Sequence, residues 1–114
     1  MQIVREKISI DDLKKMTEKM FGRLVKAVVD IERGIMAVDA ELHSDEEEVL
    51  LEDGSKQEDL WGINIHPDMV GGEDWIEFDS MINIRPSVGN RTRGVDNPTI
   101  QEKIKVIVNK LVKK

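Results

Sequence analysis

The sequence predicts an α+β domain: a mainly antiparallel sheet of about four strands, with N- and C-terminal helices packed on one face. Three observations carry this. Apolar residues recur at helical spacing near both ends, over Ile10–Phe21 and Ile100–Leu111. Between them the period drops to two, first from Val25 to Leu42 and again over Leu60–His66 and Asp74–Arg85. Composition shifts nowhere enough to mark a linker or a repeat, so the 114 residues are read as one domain, 1–114.

The elements follow in the order α-β-β-α-β-β-α. Ser9-Ile10-Asp11-Asp12 has the form of a capping box, and Ile10, Leu13, Met16, Met20 and Phe21 supply the apolar stripe of the first helix. Val25, Ala27, Val29 and Ile31 then alternate with polar or smaller residues, as do Met36, Val38, Ala40 and Leu42. A two-residue turn at Arg33-Gly34 would pair Val29 with Val38 and Ala27 with Ala40; a bulged variant would shift this by one residue. Ser44-Asp45-Glu46-Glu47 reads as a second capping box, opening a short helix that Gly54 stops. Leu60–His66 and Asp74–Arg85 form a second antiparallel pair across a glycine-containing connection. In the longer strand Ile76, Phe78, Ser80, Ile82 and Ile84 would share the core face. Asn97 caps the last helix, with Pro98 at its first position.

Composition excludes several chemistries. The chain has no cysteine, which removes disulfides, thiolate metal sites and thiol nucleophiles. Neither a secretory h-region nor an apolar stretch of membrane-spanning length is present, so a cytoplasmic protein without membrane association is expected. The net charge of −6 disfavours duplex nucleic acid, whose binding rests on cations at phosphates. Charge is uneven, however: eight acids and one lysine lie within 44–59, whereas Ile82–Val95 carries Arg85, Arg91 and Arg93 and no acid.

Two constellations could carry function. On a regular strand Glu77, Asp79, Asn83 and Arg85 would form one polar row, joined by Asn64 and His66 and by Asp30 and Asp39 of the first hairpin. Glu77, Asp79 and His66 are the candidate catalytic groups there, as acid/base partners or Mg²⁺ ligands. The plain alternative is the wet face of an ordinary antiparallel sheet. The second constellation is Gly89-Asn90-Arg91-Thr92-Arg93-Gly94, where glycines bracket two guanidinium groups able to grip a phosphate or carboxylate. Arg85, Asn90, Arg91, Arg93 and Asn83 are the candidate ligand-binding residues. Against them stands neutralisation of the chain's own acids. Neither GxxxxGK[ST] nor GxGxxG occurs, His43 and His66 lack zinc-site spacing, and no GxSxG elbow is present. Trp61 reads as a core anchor and Trp75 as a residue of the polar face.

The runs Gln57–Asn64, Ile76–Pro86 and Gly89–Arg93 resemble a family of small bacterial and archaeal proteins known only as domain of unknown function 5674. The resemblance implies a stand-alone prokaryotic protein and brings no activity, cofactor or binding residue with it. The leading expectation is a non-enzymatic domain that recognises a phosphate-bearing small molecule or an acidic protein surface, without a cofactor or bound metal. A small hydrolytic or phosphate-handling enzyme and a ligand-free homodimer are the alternatives.

Overall fold

Capping explains where the terminal helices begin. In the computed structural model, which describes residues 1–20 and 22–114, the Ser9 hydroxyl accepts from the Asp12 amide at 3.0 Å and α1 runs Ile10–Met16. A 3-10 turn, Thr17–Met20, takes the place of the expected last helical turn, and Phe21 lies outside the described residues. Asn97 accepts from the Thr99 amide at 2.8 Å and opens α3, Pro98–Leu111.

Among the described residues the main sheet has five strands: β1 (Gln2–Val4), β3 (Val25–Asp30), β4 (Ile35–Val38), β5 (Leu60–Ile65) and β6 (Ile76–Glu77). Their order is β1-β4-β3-β5-β6 and every pairing is antiparallel. The α+β prediction holds, with β1 an added edge strand. A second small pairing is parallel: β2 (Ile8–Ser9) with β7 (Val112–Lys113), which ties the start of α1 to the end of α3.

The hairpin differs from its expected register. Val29 pairs with Met36 and Ala27 with Val38, two residues away from the two-residue-turn scheme and beyond its bulged variant. Asp30 is the cause. Its Oδ1 accepts from the amides of Glu32 and Arg33, and Gly34, at φ +68°, returns its amide to the Asp30 carbonyl. This local turn chemistry closes a four-residue loop, 31–34. A shift by two leaves every side chain on its own face, so the predicted core row survives.

That row packs as expected. Val25, Ala27, Val29, Met36, Val38, Ile63 and Ile65 meet Leu13 of α1 and Ile104, Val108 and Leu111 of α3. The reverse face is not a wet face. α2, His43–Glu52, lies across it and buries Leu50 against Val28, Ile35, Ala37 and Leu60. α2 starts two residues earlier than the Ser44 box implied: Leu42 is the N-cap position and makes no side-chain capping bond.

The long strand Asp74–Arg85 is the main correction. It ends after Glu77, and 3-10 turns occupy Met81–Asn83 and Pro86–Val88. Beyond Glu77 the chain crosses close over Gly62, where a Cβ would stand 2.5 Å from Ser80 Cβ and Oγ. Asn83 takes the place of the missing strand: its amide accepts from Gly62 N at 2.8 Å and donates to Gly62 O at 2.9 Å. The crossing also divides the supposed core row, with Phe78 packing on the α1/α3 side and Ile82 on the α2 side. Trp61 is a core residue as expected; Trp75 is one too, not a member of a polar face. Among the described residues no helix is long and apolar enough to cross a membrane.

Candidate functional site

The crossing at Gly62 builds a polar cavity on the α2 side of the sheet. Lys26 of β3 pairs with Asn64 of β5, which sets both side chains at the same level. Ser80 donates its backbone amide to the Arg93 carbonyl at 2.9 Å, so the 79–82 and 91–94 segments run side by side. Arg93 Nε then reaches Asp79 Oδ1 at 2.6 Å. Over these groups lies the first turn of α2. The resulting cavity, about 190 Å³, is lined by Lys26, His43, Ser44, Asn64, Asp79, Ser80 and Arg93, with Leu42, Met81 and Ile82 at its apolar margin.

Each polar group has a definable state. His43 Nε2 lies 2.7 Å from the Ile63 carbonyl. A carbonyl only accepts, so Nε2 carries the proton and Nδ1 keeps its lone pair. Burial lowers the His43 pKa, and Lys26 and Arg93 push it the same way against the Ile63 bond and Asp79. The ring is therefore neutral at pH 7. Asn64 donates through Nδ2 to Glu77 Oε1 at 2.8 Å, which leaves its Oδ1 buried without a partner. At the uncapped start of α2, main-chain amides and the positive end of the helix dipole act on the same region. Two cations, one carboxylate and a neutral imidazole make a site with a small excess of positive charge.

The structure brings some predicted site residues together and separates others. Asp79 and Arg93 meet at this cavity. Glu77 sits beside it, bonded to Asn64 and 3.4 Å from His66 Nε2. Arg85 is directed away: it donates to the Leu60 carbonyl, stacks 4.9 Å above the Trp61 ring and lies 3.6 Å from Glu47. Asn83 and Asn90 are buried and their amides hold backbone. Asn90 Nδ2 donates to the Asn83 and Gly94 carbonyls, and its Oδ1 accepts from the Asp96 amide. The Arg91 side chain is exposed on the loop, while its backbone amide donates to Asp96. Asp30 closes its turn, and Asp39 (φ +72°) pairs with Lys19 at 3.0 Å, so neither joins the polar row. Among the described residues no three His, Asp or Glu side chains are grouped to hold a metal ion.

His43 and Lys26 were not singled out by sequence reasoning. There His43 enters only as a histidine without zinc-site spacing, and Lys26 only as a polar residue alternating with the core row of its strand. The β3–β5 register makes Lys26 a neighbour of Asn64, and the return of α2 over the reverse face brings His43 to them.

A wider groove of about 680 Å³ lies at the other end of β5, lined by Glu58, Asp59, Trp61, Asn90, Asp96 and Asn97 among others. Burial, reinforced by Asp30 and Glu58, raises the Asp59 pKa. Hydrogen bonds from Thr92 and from the Arg91 amide hold Asp96 below the usual carboxylate range. Its acids suit cations, the opposite of the α2 cavity.

Comparison with known proteins adds the lineage. A family model described as "Protein of unknown function (DUF5674)" matches residues 2–111. The chain belongs to this family. The DUF5674 match takes in every strand and helix that builds the α2 cavity, as well as the crossing at Gly62. No curated protein and no solved structure matches the chain.

Proposed function

We propose that this chain is a binding domain for a small anionic ligand, held in the cavity beneath the N-terminus of α2. The observation that carries the reading is the convergence of Lys26 and Arg93 on a cavity at an uncapped helix start. Such a helix end offers amide donors and a positive dipole to an anion, and the two side chains add full charges. The anion-recognition role first attached to Arg85, Asn90, Arg91 and Arg93 is thereby centred on Arg93, with Lys26 as its counterpart. Asp79 acts as the internal counterion that holds the guanidinium in the unliganded protein.

Titration with inorganic phosphate and with propionate, followed by calorimetry at low salt, tests this. Lys26→Ala and Arg93→Ala should each weaken binding about tenfold or more, the range for loss of a charge-assisted hydrogen bond. Arg93→Ala should have the larger effect, because it also leaves the Asp79 carboxylate facing the anion. If Arg91→Ala abolishes binding and Arg93→Ala does not, the anion sits on the loop and the cavity reading fails. Absence of binding by the wild-type chain ends the proposal.

A further inference from the structure

The cavity contains acceptors as well as cations, and a simple anion leaves them unmatched. His43 is 9 % exposed and lines the cavity. Its Nε2 proton is committed to the Ile63 carbonyl, so any group that engages Nδ1 must be a donor. Asn64 is 6 % exposed, and its Oδ1 is likewise an acceptor without a partner. Its orientation is settled by Nδ2, which donates to Glu77 and cannot be exchanged with the oxygen. A deprotonated carboxylate offers only acceptors. Seated against Lys26 and Arg93, it would displace water from the Nδ1 side of His43 while bringing it no hydrogen; Asn64 Oδ1 is already closed to water.

We propose that the preferred ligand is a small oxyanion bearing a hydroxyl next to its charged group, of the 2-hydroxycarboxylate class. The anion meets Lys26 and Arg93, and the hydroxyl donates to His43 Nδ1. This rests on the reading given under Proposed function and specifies the ligand of that same site. An ammonium group in place of the hydroxyl is disfavoured by charge, since Lys26 and Arg93 face the same space and Asp79 is already paired with Arg93. Size limits the ligand too: about 190 Å³ corresponds to roughly six waters' share of liquid volume. That suits a short-chain acid.

Calorimetric titration with propionate, 2-hydroxypropionate and 2-aminopropionate tests this on the wild-type chain. The hydroxy acid should bind about tenfold tighter than propionate, the difference expected for one buried acceptor satisfied. The amino acid should bind no better than propionate. The pH dependence gives a second reading that needs no variant. The titratable and charged groups around His43 are Lys26 of β3, Asp79 of the crossing segment and Arg93 of the 91–94 segment beside it. As pH falls and His43, followed by NMR, takes up a proton at Nδ1, the advantage of the hydroxy acid should disappear while propionate binding holds or strengthens. His43→Phe, which removes the acceptor, should bring the ratio of 2-hydroxypropionate to propionate affinity in that variant to about one. Equal affinities for propionate and 2-hydroxypropionate, both still sensitive to Lys26→Ala, would overturn this inference and leave the anion site standing. Binding of neither acid would remove both.

Discussion

Glu46 is a fully buried carboxyl, and replacing it with glutamine should make the chain more stable. The residue sits on α2 with no exposed surface. Oε2 accepts from the Ala40 amide at 3.1 Å and Oε1 has no partner. Burial, only partly offset by the Ala40 amide, pushes the carboxyl pKa from 4.5 up to about 9. Below pH 4.5 the group is protonated both folded and unfolded, and the stability of its neutral form is fully present. Above that pH the unfolded chain ionises and the folded one does not. Stability then declines by about 1.4 kcal/mol per pH unit until the folded carboxyl also ionises. At pH 7 the accumulated cost is about 3 kcal/mol. Glutamine keeps the shape and the acceptor for Ala40 and has no proton to lose. Glu46→Gln should therefore gain up to about 3 kcal/mol at pH 7, or roughly 10 °C in Tm for a domain of this size. The gain should be small at pH 5 and largest at pH 9. Urea unfolding of both proteins at pH 5, 7 and 9 measures it. The lowered pKa of His43 works in the opposite sense: its contribution is present above the unfolded value of 6.5 and is lost as pH falls. That effect is common to both proteins and cancels in their difference. Parallel pH curves from 5 to 9 would refute the reasoning, because they would mean that Glu46 ionises in the native state as it does in the unfolded chain.

The crossing at Gly62 makes two further claims. Gly62→Ala places a methyl 2.5 Å from Ser80 Cβ and Oγ and should cost about 1–3 kcal/mol by urea unfolding; Ser80→Gly in the same chain should recover part of the loss. Asn83→Ala strips the partners from Gly62 N and O in a buried position and removes the bond to the Arg93 carbonyl. It should cost about 3 kcal/mol or more, and hydrogen exchange at the Gly62 amide should accelerate.

What the sequence determined by itself is local. Ser9 and Asn97 start the first and last helices where the caps are written, because capping joins groups two or three residues apart. The apolar stripe of α3 and the alternation in β3 and β4 assign their faces, and even the two-residue register shift respects that assignment. The α+β class follows from these periods alone. What the tertiary structure decided is wherever one pattern admits two structures. Alternation from Ile76 to Ile84 fits a half-buried strand, but it fits equally a chain that crosses the sheet and buries Phe78 on one side and Ile82 on the other. Gly62 permits that close approach and Asn83 satisfies the backbone it exposes, twenty-one residues apart in sequence. The cavity has the same origin. Lys26, His43, Asn64, Asp79 and Arg93 lie on five separate segments with no shared period. Each is an unremarkable polar residue in its own segment, and the packing of α2 over the reverse face brings His43, with its lowered pKa, to the others.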